Sequence, residues 1–355
     1  MTDATSRILV YGAYGYTGRL IAERAVAQGV RPILAGRDPD RLAALAGELG
    51  LERRAVSLDD AAALKLALTS VPLVLHAAGP FSRTSRPMVD ACLHTRTHYL
   101  DITGEIAVFE ALAARSTEAE RAGITVLPGV GFDVVPTDCL AMHLHRRLPS
   151  ATRLRLAIRA LGSASRGTAK TAVENAGGGG AARVAGEIVT VPPAHDQITV
   201  AFPDGKTRTC TAIPWGDVST AYHSTGIPNV TTYAALPPGA VRAMKASRYL
   251  GAILQTRPVQ SLLGAIVDRR VTGPSEDDRQ RGRSFVWGEA TDGDGKRVVS
   301  RWEGPEGYAF TADAALRAAL AVLEGRAAPG FQTPSLAFGP DFALEPEGTA
   351  REDVA

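Results

Sequence analysis

Seven consecutive residues, Gly12-Ala13-Tyr14-Gly15-Tyr16-Thr17-Gly18, have the types and spacing to hold a dinucleotide. Their glycines recur every third position. They follow an apolar run, Ile8–Tyr11, and open a helical pattern, Thr17–Gln28, which is the context a phosphate-cradling βα turn requires. Gly12 permits the tight turn, Gly15 lets backbone approach a pyrophosphate, and Gly18 lets the helix close on the strand. The helix N-terminus adds free N–H groups and partial positive charge. Tyr14, Tyr16 and Thr17 share the loop and count as cofactor contacts. The alternative is a glycine-rich turn without a ligand.

The second apolar run ends in Gly36-Arg37-Asp38. Arg37 can pair with a 2′-phosphate, which points to NADP(H). Asp38 can accept from a ribose 2′-OH and keeps NAD open. The fourth run ends in His76-Ala77-Ala78-Gly79-Pro80-Phe81. The small residues Ala78, Gly79 and Pro80, with Phe81 behind them, leave space for ribose and nicotinamide. A plain βα turn reads equally well there.

Groups for proton transfer cluster after the next two runs. Tyr99, Asp101 and Glu105 lie in Tyr99-Leu100-Asp101-Ile102-Thr103-Gly104-Glu105, and Tyr99 and Asp101 share a face by strand period. Asp133 lies in Gly131-Phe132-Asp133-Val134-Val135-Pro136-Thr137-Asp138, with Asp138 placed to cap the next helix. Capping and loop bracing compete with catalysis for these carboxylates, because a nicotinamide brings most of the chemistry itself. Further on, Ser165, Arg166, Gly167 and Thr168 open a short helical stretch. They can bind a carboxylate or carbonyl oxygen, or merely cap it. The histidines form no metal set, and no GxSxG elbow is present.

These residues need a scaffold, and the first 140 residues supply one. Short apolar runs alternate with helical patterns: Ile33–Ala35, Pro39–Leu49, Arg54–Val56, Leu58–Leu68, Leu73–Ala77, Pro87–His94, His98–Asp101, Ile106–Ala122 and Ile124–Leu127. That rhythm implies parallel βαβ units and a doubly wound α/β sheet. After helical Thr137–Leu148, strand patterns follow one another: Thr152–Leu161, Glu187–Val191, Gln197–Phe202, Arg208–Ile213, Asn229–Ala234, Ser284–Glu289 and Val298–Trp302. They imply an antiparallel sheet in a second, α+β domain. Ala240–Arg270 is helical, with an apolar stretch that suits a core, a dimer contact, an acyl tunnel or a membrane surface. Gly273–Gly282 reads as a loop. The expected domains are 1–138, 139–310 and a C-terminal helix with an irregular tail, 311–355, that packs back on the first.

The 355 residues are 45% hydrophobic and 21% charged, with net charge +2. That composition excludes global disorder and gives no case for nucleic acid. Three dispersed cysteines suit a reducing compartment. The polar start, Met1–Arg7, does not read as a secretory leader, and no apolar run is long enough to span a bilayer. A cytoplasmic protein is expected.

The quoted motifs resemble the saccharopine dehydrogenase-like oxidoreductases, and among them the branch with trans-acting enoyl reductases of actinobacterial lipid biosynthesis. Gly304-Pro305-Glu306-Gly307-Tyr308 and Gly330-Phe331-Gln332-Thr333-Pro334-Ser335 share the resemblance. It implies a Rossmann domain, NADP(H) and a mixed α/β substrate domain. The expected activity is NADPH-dependent reduction of the C=C bond of an enoyl ester or thioester in lipid or secondary metabolism, on a small or carrier-bound acyl substrate, with Tyr99 as one proton donor. Reduction of an amino-acid-derived imine, with Arg166 as carboxylate clamp, is the alternative; a non-catalytic NADP-binding redox sensor is a third reading. A homodimer suits the strand-rich second domain. Relatives carry Ser-Gly-Gly-Thr where this chain has Ser165-Arg166-Gly167-Thr168, which leaves the substrate open.

Overall fold

The computed structural model describes residues 8–354, apart from 161–164, 166, 168, 170–172, 174–176, 271 and 272. The chain folds as two units. One joins the N-terminal part up to Val135 to Tyr308–Phe338, and the other joins Pro136–Gly307 to Gly339–Ala355.

The first unit is a doubly wound parallel sheet. Its strands are β1 (Ile8–Tyr11), β2 (Ile33–Gly36), β3 (Arg53–Ala55), β4 (Leu73–His76), β5 (His98–Asp101) and β6 (Thr125–Leu127), with Gly330–Phe331 added beside β6. The order across the sheet is β3-β2-β1-β4-β5-β6, so the winding reverses between β1 and β4. β1, β2 and β4 are buried along their whole length, as strands covered by helices on both faces must be. Edge strand β3, Arg-Arg-Ala, is not.

Helices α1 (Tyr16–Ala27), α2 (Pro39–Leu49), α3 (Ala61–Leu68), α4 (Phe81–Thr95), α5 (Ile106–Ala113) and α6 (Ser116–Ala122) connect or follow these strands, and α7 (Val135–Arg147) follows β6 and belongs from Pro136 on to the second unit. Three differ from the pattern-based expectation. α3 starts at Ala61 because Asp60 accepts from the Ala63 N–H at 3.0 Å and caps it. α4 starts six residues before Pro87, because Glu105 supplies acceptors for its first N–H groups. The helical run after Ile106 breaks at Arg115, where ψ turns to 9°. Asp138 lies inside the first turn of α7 instead of capping it, and accepts from the Ser224 hydroxyl.

The C-terminal helix Gly307–Leu323 also belongs to this unit and is tied to α1. The Asp313 carboxylate accepts from Arg24 at 2.8 and 2.5 Å, from Gln28 at 3.3 Å and from Arg317 at 2.6 Å. The side chains of Tyr16 and Tyr308 meet edge-on, with ring centroids 5.0 Å apart.

The second unit is a nine-stranded sheet. Its main path runs Gln197–Ala201, Thr207–Ile213, Asn229–Ala234, Ala151–Ala160, Arg283–Asp292, Arg297–Pro305 and Ala350–Val354. The hairpin Gly180–Val184 and Glu187–Val191 joins at Asn229–Ala234. The sheet is mixed rather than antiparallel, since Asn229–Ala234 pairs parallel to Ala151–Ala160. The long intervening chain makes that crossover feasible. In Thr152–Leu161, Leu154, Leu156, Ile158 and Ala160 alternate with Arg153, Arg155 and Arg159, the pattern of a strand with one wet face, and that expectation fails in part. Arg159 is buried, bonded to Asp204 at 2.6 Å and seated over Phe202 and Phe285. A second core, with Ala157, Tyr233 and Trp287, covers that face.

Two polar stretches are more ordered than their composition suggests. Gly273–Gly282 contains the helix Glu276–Arg281, started by a Ser275/Asp278 capping box. The tail is not irregular throughout, because Ala350–Val354 pairs antiparallel with Arg297–Pro305. The Trp302 indole N–H donates to the Ala343 carbonyl at 3.0 Å from a site 1% exposed. Trp302→Phe removes that donor and leaves a void. We expect a stability loss of about 1–3 kcal/mol by urea unfolding, without loss of cooperativity.

Candidate functional site

The winding reversal between β1 and β4 opens a crevice at the strands' carboxyl ends, where ligands of such sheets lie. Two turns meet there. Gly12 has φ +82°, and a Cβ on it would lie 2.8 Å from the Ala78 side chain and 2.9 Å from the Ala77 backbone. A Cβ on Gly18 would lie 2.3 Å from the Gly12 carbonyl oxygen, and one on Gly15 3.1 Å from it. The Gly12 and Ala13 N–H groups donate to the Ala35 carbonyl at 2.8 and 3.2 Å, holding the loop on β2. α1 begins with Gly15 as N-cap and no side chain closes its first turn. A close-packed backbone cradle facing an uncapped helix start fits a pyrophosphate.

The adenine end has more structure than the sequence reading foresaw. The Tyr14 ring packs on Gly36, where a Cβ would meet it at 2.6 Å, and its hydroxyl accepts from the Asp38 N–H at 3.3 Å. The Arg41 guanidinium sits 4.5 Å over that ring and donates to the Tyr14 carbonyl at 3.2 Å. Arg41 was missed. Its position four residues past Arg37, in the first turn of α2, was the available signal. Arg37 itself is exposed, and no hydrogen bond or ion pair holds its guanidinium among the described residues. The Asp38 carboxylate instead caps α2, accepting from the Asp40 and Arg41 N–H groups at 3.1 Å each. The free cation and the engaged carboxylate both favour a 2′-phosphate over a bare ribose.

The proton-transfer candidates divide by environment. Tyr99 and Asp101 are fully buried, and the Tyr99 hydroxyl donates to Asp101 at 2.6 Å. Asp101 also accepts from the Thr103 N–H at 2.9 Å and the Gly129 N–H at 3.0 Å. Its carboxylate thus ties the end of β5 to the loop after β6. Burial pushes the Asp101 pKa up to about 6, even against three donors that lower it. Burial and the adjacent Asp101 raise the Tyr99 phenol well above its usual range.

Glu105 grips the start of α4, accepting from the Phe81 and Ser82 N–H groups at 2.9 Å each. Thr84 holds the same turn from inside by donating to the Ala78 carbonyl at 2.7 Å. The positions of Ala78, Gly79, Pro80 and Phe81 therefore follow from Glu105 and Thr84. Asp133 is half-buried beside Gly104, where a Cβ would stand 3.1 Å from its carboxylate oxygen. Burial pushes its pKa up to about 6. The neighbouring Phe132 N–H donates to the Thr311 hydroxyl at 3.0 Å, so the C-terminal helix braces this loop.

His76, at the end of β4, was not singled out. It is fully buried among the rings of Tyr11, Phe81 and Tyr99. Neither ring nitrogen has a hydrogen-bond partner, and burial pushes its pKa down to about 3, so the ring is neutral. In the second unit Ser165 is buried, its carbonyl accepting from the Ala169 N–H at 2.9 Å, and Gly167 is exposed. Arg166 and Thr168 lie outside the described residues.

The family comparison agrees with this geometry. Residues 8–127 match the sequence model of the saccharopine dehydrogenase NADP-binding domain. This segment is similar to the NADP-binding domain of saccharopine dehydrogenases. The resemblance noted in the motifs and the NADP(H) cofactor are borne out by it. The chain is 32% identical to the trans-acting enoyl reductase of Mycobacterium ulcerans over 148 residues, 39% of this chain and 35% of that protein. The Mycobacterium leprae protein of the same name is 32% identical over 149 residues, 40% of this chain and 36% of that one. The matched stretch thus spans about a third of the relatives' length. The fold resembles that of saccharopine dehydrogenase (L-Glu forming) from Saccharomyces cerevisiae, with TM-score 0.66 and 17% identity over 99% of this chain and 100% of that one. The Rossmann sheet and the second mixed sheet are therefore those of a saccharopine dehydrogenase-like fold.

The NADP-binding domain makes two predictions. Gly12→Ala puts a methyl group into Ala78 at a positive φ. We expect a stability loss of about 1–3 kcal/mol and an NADPH dissociation constant raised at least ~10-fold by calorimetry. The second concerns pH. An unfolded aspartate releases its proton near pH ~4, whereas the folded chain holds protons on Asp101 and Asp133 up to about 6. Folding takes up protons in that window, so both groups make the fold less stable as pH rises through it, with no further change above. Asp133→Asn should therefore gain on the parent between those limits in urea unfolding. A difference independent of pH would show that Asp133 titrates normally.

Proposed function

We propose that this protein reduces the C=C bond of an α,β-unsaturated acyl thioester with NADPH. The observation that carries the reading is the close-packed glycine cradle at the winding reversal, with free Arg37 at the end of β2. The relatives named trans-acting enoyl reductases favour an enoyl C=C bond over the other reducible bonds.

In this reading the N–H groups at the uncapped start of α1 hold the pyrophosphate against the Gly12–Gly18 loop, with Tyr14, Tyr16 and Thr17 lining it. Arg37 pairs with the 2′-phosphate, and Arg41 adds positive charge beside it. Ala78, Gly79, Pro80 and Phe81 border the nicotinamide ribose, in the position Glu105 gives them. Tyr99 and Asp101 are positioning residues, because their polar atoms are already bonded to each other and to the loop after β6. NADPH, when bound, supplies the hydride for the β-carbon. The Asp133 carboxyl, its pKa raised to about 6 by burial, gives a proton to the α-carbon from its protonated form and regains one from water.

Arg37→Asp tests the cofactor assignment. NADPH binding should weaken about 10–100-fold, the loss of one charge-assisted contact, with NADH binding little changed. Equal losses would remove Arg37 from the 2′-phosphate. The reaction is tested by following NADPH oxidation with a crotonyl thioester against an imine formed from an amino acid and an aldehyde. Saturated thioester should accumulate, and Asp133→Asn should lower kcat about 100-fold. Turnover of the imine alone would contradict the substrate reading.

A further inference from the structure

Three of the large apolar side chains that stand exposed among the described residues belong to one helical hairpin of the second unit. Its helices are Pro238–Leu254 and Arg257–Arg270. Tyr249 is 88% exposed on the first, and Leu262 and Ile266 are 62% and 44% exposed on the second. Leu262 and Ile266 are four residues apart and share a helix face. The hairpin is also strongly basic. Residues 238–270 contain six Lys or Arg and one acidic residue, Asp268, in a chain whose net charge is only +2. Arg242 and Lys245 are exposed one turn apart, and Arg257 and Arg269 are exposed near the ends of the second helix.

The hairpin is held to its unit by specific bonds. Arg248 donates to the Pro193 carbonyl at 3.0 and 2.7 Å and to the Ala194 carbonyl at 3.2 Å. Gln260 donates to the Val173 carbonyl at 2.9 Å. Gly251 and Gly177 approach so closely that a Cβ on Gly177 would lie 2.7 Å from the Gly251 oxygen. The exposed side chains are therefore presented from a seated element.

A covering partner has to accept apolar side chains and excess positive charge together. A second copy meets the first requirement and fails the second, because a two-fold contact sets like charge against like. An anionic lipid surface meets both. Basic side chains reach the headgroups, Tyr249 suits the interface, and Leu262 and Ile266 reach the acyl boundary. We propose that the 238–270 hairpin docks this protein on anionic phospholipid bilayers. It lies in the interface and does not cross, since no helix among the described residues is long and apolar enough to span a membrane.

Co-sedimentation of the full chain with vesicles tests this. The probes are phosphatidylcholine alone and phosphatidylcholine with roughly one third phosphatidylglycerol. The protein should partition onto the mixed vesicles and not onto pure phosphatidylcholine, and added salt should release it. Arg242→Gln with Lys245→Gln should lower partitioning about 25-fold, about five-fold for each cation near the surface. Leu262→Ser with Ile266→Ser should lower it as well, with the circular dichroism spectrum unchanged. Equal partitioning onto both vesicle types, or none onto the anionic ones, would overturn the proposal. Full binding by a folded Leu262→Ser, Ile266→Ser variant would also overturn it, and would point to a charge-only contact such as an acidic protein. If either variant misfolds, the lipid and salt dependence of the unmodified chain decides.

Discussion

A side chain on Gly12 would collide with the turn at Ala77 and Ala78, and the site in the first unit is organised by that constraint. The turn after β1 and the turn after β4 come together at the point where the sheet reverses its winding. There they pack backbone against Ala77 and Ala78. The close approach fixes the path of the loop into α1, and Gly18 continues it by seating the helix against the Gly12 carbonyl. A phosphate cradle needs main-chain N–H groups unshielded by side chains. The same packing that demands glycine leaves them so.

Around that contact, carboxylates serve mostly as anchors for the backbone. Asp38 caps α2, Asp101 collects two N–H groups and a phenol, and Glu105 holds the start of α4. Each bond secures a loop at the carboxyl edge of the sheet, where regular strand pairing has ended. Ionisable groups at such an edge thus resemble a catalytic set even when they are framework. Asp133 shares the raised pKa of Asp101 but is only half-buried. A carboxyl raised to about 6 exchanges its proton closer to neutral pH than an ordinary aspartate does.

Much of this was legible in the residues. Fully buried strands such as Ile8–Tyr11 and Leu73–His76 announce themselves as unbroken apolar runs, and the glycine spacing marks the loop between them. What escaped depended on partners distant in sequence. The first turn of α4 lacks a local cap, because its acceptor, Glu105, lies 24 residues on. Arg159 looked like a solvent residue by alternation, yet Asp204 and two aromatic rings make its burial tolerable. The helix Glu276–Arg281 has no apolar stripe and is specified by its capping box. His76 continued an apolar strand and carried no pattern of its own, so its unpartnered nitrogens became visible only with the surrounding rings in place.

The central claim is that the β1–α1 loop holds a dinucleotide with a 2′-phosphate. Calorimetric titration of the unmodified chain with NADPH and NADH, side by side, tests it most directly and needs no substrate. The account predicts one NADPH bound per chain, with NADH at least ~10-fold weaker because it lacks the phosphate proposed to pair with Arg37. NADH bound as tightly as NADPH, or neither bound at all, would contradict it.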